Sequence, residues 1–386
     1  MAFIVTEDWF FASHFLAMAR GARDAGLDVV VICRVREHRA MIEVTGARVI
    51  QFDAERSSLN PVGAVYASRQ LAAILRAEKP DLVHCIALRS ILIGGAAAVM
   101  ARIPRRIYAL TGLGFLGARS GLLGGMARFV ICIVIRRLLE SRQTHYLFEN
   151  PDDPRLLDLD PQDTSQVTIV GGAGVDPEAF AQTPLPPHPP LKVAIVSRML
   201  WSKGIDLAVE ATRRARAAGV AVELGLYGSP DPSNPRTIPE TTLRDWNSEP
   251  GIEWHGQAHD IAAVWRAHHI CCLPSRGGEG LPRTLLEGAA SGRALLTTDV
   301  PGCRALVRDG IEGLVVQPED PLALADAMAR LAADPQLAIR MGDAAAARVR
   351  SGFTDRHVAE AVIVLYGRML ANLKKDRMKP LAGAPL

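Results

Sequence analysis

Short apolar, β-branched runs recur along the chain, separated by stretches in which apolar residues return every three to four positions. Residues 3–5, 29–32, 48–51, 82–85, 107–109 and 146–148 are predicted strands, and a second series covers 193–197, 222–227, 252–254, 270–273, 294–297 and 313–316. Such alternation of strands with amphipathic helices indicates parallel βαβ units. Between the two series lies Pro184-Leu185-Pro186-Pro187-His188-Pro189-Pro190, which can continue neither a helix nor a central strand and serves as a linker. The expected fold is α/β, with two doubly wound parallel-sheet domains, residues 1–183 and 191–354, facing a cleft. A helical stretch, 355–374, follows, and the pattern leaves open whether it packs back on the first domain. Ligands of such sheets bind outside the carboxyl ends of the strands, so the chemistry belongs in strand-to-helix loops.

The length of 386 residues agrees with about two domains. Lys and Arg number 44 against 41 Asp and Glu, so the net charge of +3 gives no reason to expect a nucleic-acid partner; 22% charged and 49% hydrophobic residues exclude a disordered chain. Six cysteines without C-x-x-C or zinc spacing read as reduced thiols and point to the cytoplasm. The N-terminus runs directly into a strand without a basic leader, so no signal peptide is expected.

The charge is uneven: residues 85–142 hold nine arginines and one acid, a net +8. Within this segment, 121–139 combines Leu122, Leu123, Phe129, Val130, Ile133, Val134, Leu138 and Leu139 with Arg128, Arg136 and Arg137. Three arginines are too many for a spanning helix. Two readings stay open: a core helix with a solvated face, or an interfacial helix whose arginines reach anionic head groups at about 1 kcal/mol each. The second would hold the protein at the cytoplasmic face of the inner membrane.

The most concentrated chemistry is Gly277-Gly278-Glu279-Gly280-Leu281-Pro282-Arg283-Thr284-Leu285-Leu286-Glu287, directly after a strand. Glycines admit close backbone approach, Pro282 suits a first helical turn, and the amides of Arg283 and Thr284 would form an anion site at a helix N-terminus. Glu279 and Glu287 are at most about 12 Å apart along the helix rise, so each could accept hydrogen bonds from hydroxyls on one side of a diphosphate. A glycosidase acid/base pair would need its carboxylates closer together, unless the loop folds back. A second constellation, Arg198 through Lys203-Gly204, follows the first strand of the second domain; its two cations suit a diphosphate.

These segments resemble the E-x7-E motif and the R-x4-K-G loop of retaining family 4 glycosyltransferases, which have the GT-B fold. The resemblance implies that Glu279 faces the transferred sugar, Glu287 the ribose of a nucleotide (UDP) sugar, and Arg198 and Lys203 the departing diphosphate. Gly278, Gly280, Leu281, Pro282, Arg283 and Thr284 complete the implied donor site.

In the first domain, Thr111-Gly112-Leu113-Gly114-Phe115-Leu116-Gly117 spells G-x-G-x-x-G. A dinucleotide fingerprint belongs in the first βα unit with an acid about 20 residues on, which is not its setting here. The loop is similar instead to that of bacterial N-acetylgalactosaminyl- and galactosyltransferases acting on undecaprenyl-diphosphate-linked sugars, with Thr111 where many family members carry histidine. Phe148-Glu149-Asn150-Pro151-Asp152-Asp153 and Gly171-Gly172-Ala173-Gly174-Val175-Asp176 fit the same subgroup. His14, His84, Thr111, Gly112 and Gly114 are thus the candidates for the acceptor side, with a cap or packing role open for His14 and a core role for His84. Asp158-Leu159-Asp160 spells D-x-D in a Pro- and Asp-rich loop and reads as chance; neither a metal nor a cofactor is expected.

The expected function is transfer of a hexose or N-acetylhexosamine from a nucleotide sugar to a lipid-linked sugar. A sugar-nucleotide epimerase or hydrolase, and a non-enzymatic binding protein, are the alternatives.

Overall fold

The computed structural model describes residues 1–53, 61–112, 122–232 and 234–377. Strands β1 Ala2–Glu7, β2 Val30–Arg34, β3 Arg48–Gln51, β4 Val83–Ile86, β5 Arg106–Leu110, β6 Thr144–Phe148 and β7 Val167–Ile169 form one sheet in the order β3-β2-β1-β4-β5-β6-β7. A second sheet, β10-β9-β8-β11-β12-β13, contains β8 Leu191–Val196, β9 Val222–Tyr227, β10 Ile252–Gly256, β11 Ile270–Leu273, β12 Ala294–Thr298 and β13 Gly313–Val316. All neighbouring strands run parallel; Ile4 of β1, for instance, lies between Ile32 and Cys85. In both sheets the chain starts near the middle, winds to one edge and returns to the other side of its first strand, so a topological switch point opens beside β1 and β8.

Burial explains why the strands read as apolar runs. Every residue of β5, β6 and β12 is buried, as helices on both faces of a parallel sheet require. Side-chain alternation divides each sheet's core in two. Ile4 and Cys85 pack on one face of the first sheet and Phe3, Val5 and Ile107 on the other; in the second sheet Val193 and Ile195 oppose Ala194.

The helix Asp355–Arg377 packs against the helix Leu16–Asp24 of the first sheet's unit. Its Val358, Val362, Leu365 and Tyr366 join Phe3, Val5 and Ile107 in one core. The linker is stapled to the second unit by Arg293, whose side chain is fully buried and donates to the carbonyl oxygens of Thr183, Pro184 and His268. Bonded to carbonyls, and with no acid paired to it among the described residues, this guanidinium is pulled down to about 10 by burial.

Candidate functional site

The loops that carry chemistry leave the carboxyl ends of β8 and β11. After β8 the chain makes a short turn, Trp201–Lys203, and enters the helix Ile205–Ala217 through Gly204 at φ +69°. A Cβ at Gly204 would lie 1.9 Å from the carbonyl oxygen of Pro274, so glycine alone lets the two loops meet. The meeting joins the two sequence motifs: Lys203 Nζ donates to Glu279 Oε1 at 2.6 Å, and the Ser275 hydroxyl donates to the same oxygen at 3.2 Å. Side-chain exposure is 17% for Lys203 and 15% for Glu279, so the pair is only thinly solvated.

Arg276 fastens the arrangement from behind. It grips both carboxylate oxygens of Asp206 at 2.7 and 2.8 Å, donates to Glu319 and also donates to the carbonyl oxygen of Trp201. Such a planar bidentate pair fixes orientation as well as charge. Neither Arg276 nor Asp206 was among the expected site residues.

Pro282 precedes the helix Arg283–Ala290, whose first amides have no acceptor within the helix. Arg283 Nε donates to Glu287 Oε1 at 2.7 Å, one turn on. Burial raises the Glu287 carboxyl above the usual glutamate range, and the neighbouring Arg283 opposes that shift. Thr284 Oγ1, at the start of this helix, is buried with no partner among the described residues. Arg198 is engaged as well, its Nη1 donating to Asp231 Oδ2 at 2.8 Å. The E-x7-E and R-x4-K-G residues therefore lie side by side, with each cation matched to a carboxylate.

A cleft cavity of about 810 Å³ opens next to Arg198 and is walled from both units, by Glu7, Trp9 and Arg36 on one side and by Arg198, Tyr227 and Gln257 on the other. Tyr227, at the end of β9, stacks on His255 with ring centroids 4.5 Å apart. Of this wall the sequence reading named only Arg198; Glu7, Trp9, Tyr227 and Gln257 come from separate loops and form no local motif.

From the first unit, His14 ends the helix Asp8–His14 and its Nδ1 lies 2.6 Å from the Ser13 hydroxyl. Burial first, then the fields of Arg283, Lys203 and Arg198, depress this imidazole to about 3. A neutral His14 thus faces the cations of the second unit. Thr111 and Gly112 follow β5, and Gly112, at φ +93°, approaches the glutamate loop so closely that a Cβ would meet the Gly280 nitrogen at 2.4 Å. Gly114 lies outside the described residues.

Two expectations need correction. His84 does not face the cleft. It is fully buried, with Nδ1 2.8 Å from the Tyr366 hydroxyl and its ring 5.1 Å from that of Phe3, because the final helix covers that face of β4. Arg136 is not free for a surface role. The helix Leu122–Ile133 changes to a wider π-turn over Val134–Leu139, and Arg136 Nη1 lies 2.9 and 2.8 Å from the two oxygens of Glu140. Arg105 and Arg106, part of the +8 segment, are buried. What remains outside is a largely apolar face, Met126, Phe129 (68% exposed), Val130, Ile133 and Leu138 (64%), with Arg128 half-buried and Arg137 exposed. The side chains of Leu122 and Leu123 lie outside the described residues. No described helix is long and apolar enough to cross a membrane, and no three His, Cys, Asp or Glu side chains among the described residues converge as metal ligands would.

Residues 1–139 match the family model described as glycosyl transferase 4-like, and residues 190–334 match that of glycosyl transferases group 1. The chain is 23% identical over 375 residues, 93% of its length and 96% of the relative's, to the N,N'-diacetylbacillosaminyl-diphospho-undecaprenol alpha-1,3-N-acetylgalactosaminyltransferase of Campylobacter jejuni. Among solved structures, sucrose-phosphate synthase from Thermosynechococcus elongatus superposes with a TM-score of 0.77 at 20% identity, covering 96% of this chain and 98% of that one. Anabaena HepE in complex with UDP-glucose superposes at 0.74 and 16% identity, covering 97% and 99%.

Proposed function

From a chain that belongs to the glycosyl transferases of group 1 and the glycosyl transferase 4-like proteins, with the GT-B fold and a glycosyltransferase activity, we propose a retaining enzyme for polysaccharide or glycan assembly. It moves a hexose or N-acetylhexosamine from a UDP-sugar held by the second unit to a lipid-linked sugar presented by the first. The observation that carries this reading is the convergence of Lys203 with Glu279, and of Arg283 with Glu287, at the start of one helix beside a two-sided cleft. The Campylobacter relative, by its name, acts on a sugar linked to undecaprenol diphosphate, and the Anabaena structure holds UDP-glucose.

In this reading the donor's diphosphate takes Lys203 and Arg198 as partners and accepts hydrogen bonds from the amides of Arg283 and Thr284. Release of Lys203 frees Glu279 to accept from hydroxyls of the transferred sugar, and Glu287 accepts from the ribose. The bond from the sugar C1 to the diphosphate oxygen breaks, and the acceptor hydroxyl oxygen bonds to C1 on the same face. Its proton passes to the departing diphosphate. Charge stabilisation comes from these cations and amides, without a metal or other cofactor. The exposed apolar face around Phe129 and Leu138, with Arg128 and Arg137, docks the first unit on the anionic cytoplasmic face of the inner membrane, next to the lipid-linked acceptor.

The test measures UDP release from a panel of UDP-sugars with and without a short polyprenyl-diphosphate-linked sugar, following the lipid by mass. Acceptor-dependent release with one sugar added is the expected result. Release without a lipid product means a hydrolase or epimerase, and donor binding without release means a binding protein.

A further inference from the structure

Glu149, the residue after β6, reaches across the cleft: its Oε2 accepts from the backbone amide of Leu281 at 2.8 Å. The contact is built from both sides. A Cβ on Gly280 would come within 2.0 Å of that carboxylate oxygen and within 2.7 Å of the Thr111 carbonyl carbon, so only glycine lets the carboxyl seat there. Beside it, Asn150 Nδ2 donates to Asp153 Oδ2 at 2.9 Å and lies 3.4 Å from the Gly280 carbonyl oxygen. Arg304 of the second unit pairs with Asp152 of the first at 3.3 Å. The backbone that directly follows Glu279 is thus gripped by residues of the opposite unit, none of which touches the cations of the donor site.

Resting on the transferase reading above, we propose that Glu149 is a positioning residue for the transfer: its carboxyl, delivered by the first unit, holds residues 280–281 and thereby aims Glu279 when the two units are closed. Glu279 is then competent only in the closed form, which couples sugar positioning to the approach of the acceptor-bearing unit.

Closure is linked to the protonation of this carboxyl. Burial raises the Glu149 carboxyl to about 8, and the acids Asp153 and Glu279 push it the same way against the opposing Leu281 amide. The other charged groups here are Lys203, which pairs with Glu279, and the Asp152–Arg304 ion pair. Asp153, itself raised to about 6 by burial, is already ionised at neutral pH. A carboxyl raised in the closed form weakens closure progressively as pH climbs from the ordinary glutamate value to about 8, where the loss is complete; it is burial beside Asp153 and Glu279 that opposes the charge, since the Leu281 amide itself favours the carboxylate. Between pH 7 and 8 that linkage is worth about tenfold in the closing equilibrium, and above 8 it adds nothing more.

The test is hydrogen exchange of the full chain, without donor or acceptor, comparing protection of residues 280–286 at pH 7 and pH 9 in the parent, Glu149→Gln and Glu149→Ala. The parent should lose about tenfold in protection between the two pH values, beyond the intrinsic exchange rate. Glu149→Gln, neutral at any pH and still an acceptor for Leu281, should keep its protection at both. Glu149→Ala should lose the protection of the Leu281 amide at both, while Leu285 and Leu286, bonded to the Pro282 carbonyl, keep theirs; kcat for transfer should fall, with KM for the donor little changed. Equal protection in Glu149→Ala and the parent, or the same alkaline loss in Glu149→Gln, overturns the proposal. Exchange needs no turnover, so failure of this contact is seen separately from failure of the transferase reading, which the lipid-product assay reports.

Discussion

Replacing Lys203 by methionine keeps the stem and removes the charge, leaving the Glu279 carboxylate with the Ser275 hydroxyl in a site only 15% exposed. Stripping the partner from a thinly solvated charge costs roughly 2 kcal/mol, about 4–8 °C in the melting temperature of a domain this size. Lys203→Met with Glu279→Gln removes both charges, so calorimetry should show the double variant more stable than the sum of the two single losses. Transfer should behave differently. Loss of the diphosphate's cation should cut kcat/KM by about 10²–10³, and the double variant should recover none of it. If the two substitutions destabilise additively, the pair is not coupled and the geometry has been misread. If Lys203→Met turns over normally, the diphosphate does not sit at this lysine.

Gly112→Ala should lower transfer activity sharply, since its Cβ would meet the Gly280 nitrogen at 2.4 Å; Gly367→Ala, in an exposed helical position with nothing within 4 Å, should instead gain up to about 1 kcal/mol in thermal unfolding. Tyr366→Phe removes the bond to buried His84 and should cost about 1–3 kcal/mol in denaturant unfolding. His84 is pulled down to about 3 by burial, so its contribution is present above the ordinary histidine value and fades as pH falls towards 3; His84→Gln should flatten that acid limb. Phe129→Ser with Leu138→Ser should release the protein from anionic vesicles in co-sedimentation, and unchanged binding would reject that surface as the membrane contact.

Twelve of the thirteen strands were legible: the central ones because continuous apolar runs are what a sheet covered on both faces demands, and the partly exposed edge strands β3 and β10 through short β-branched or alternating runs. Strand β7 was not: its three residues pass from buried Val167 to Ile169 without such a run, at a sheet edge. The glutamate and basic loops announced themselves through glycine, proline and charge at short spacing. Glu149 and Leu281 are 132 residues apart, and Arg276 and Asp206 are 70, so no local pattern could join them. His84 was misplaced for a related reason. Strand alternation gives a residue's face, but what covers that face depended on a helix 282 residues away.

That same helix bears on how the chain comes to be folded during its manufacture. The core of the second unit is assembled from nearly contiguous residues, Val175 to Phe353. The first unit must wait for Val358, Val362 and Tyr366 before Phe3 and His84 are covered. At about 5–20 residues per second, the delay between finishing β7 and making that helix is roughly 10 to 40 seconds. The half of the protein that leaves the ribosome first is therefore the half that is finished last, and until then it shows an apolar flank to whatever chaperone is nearest.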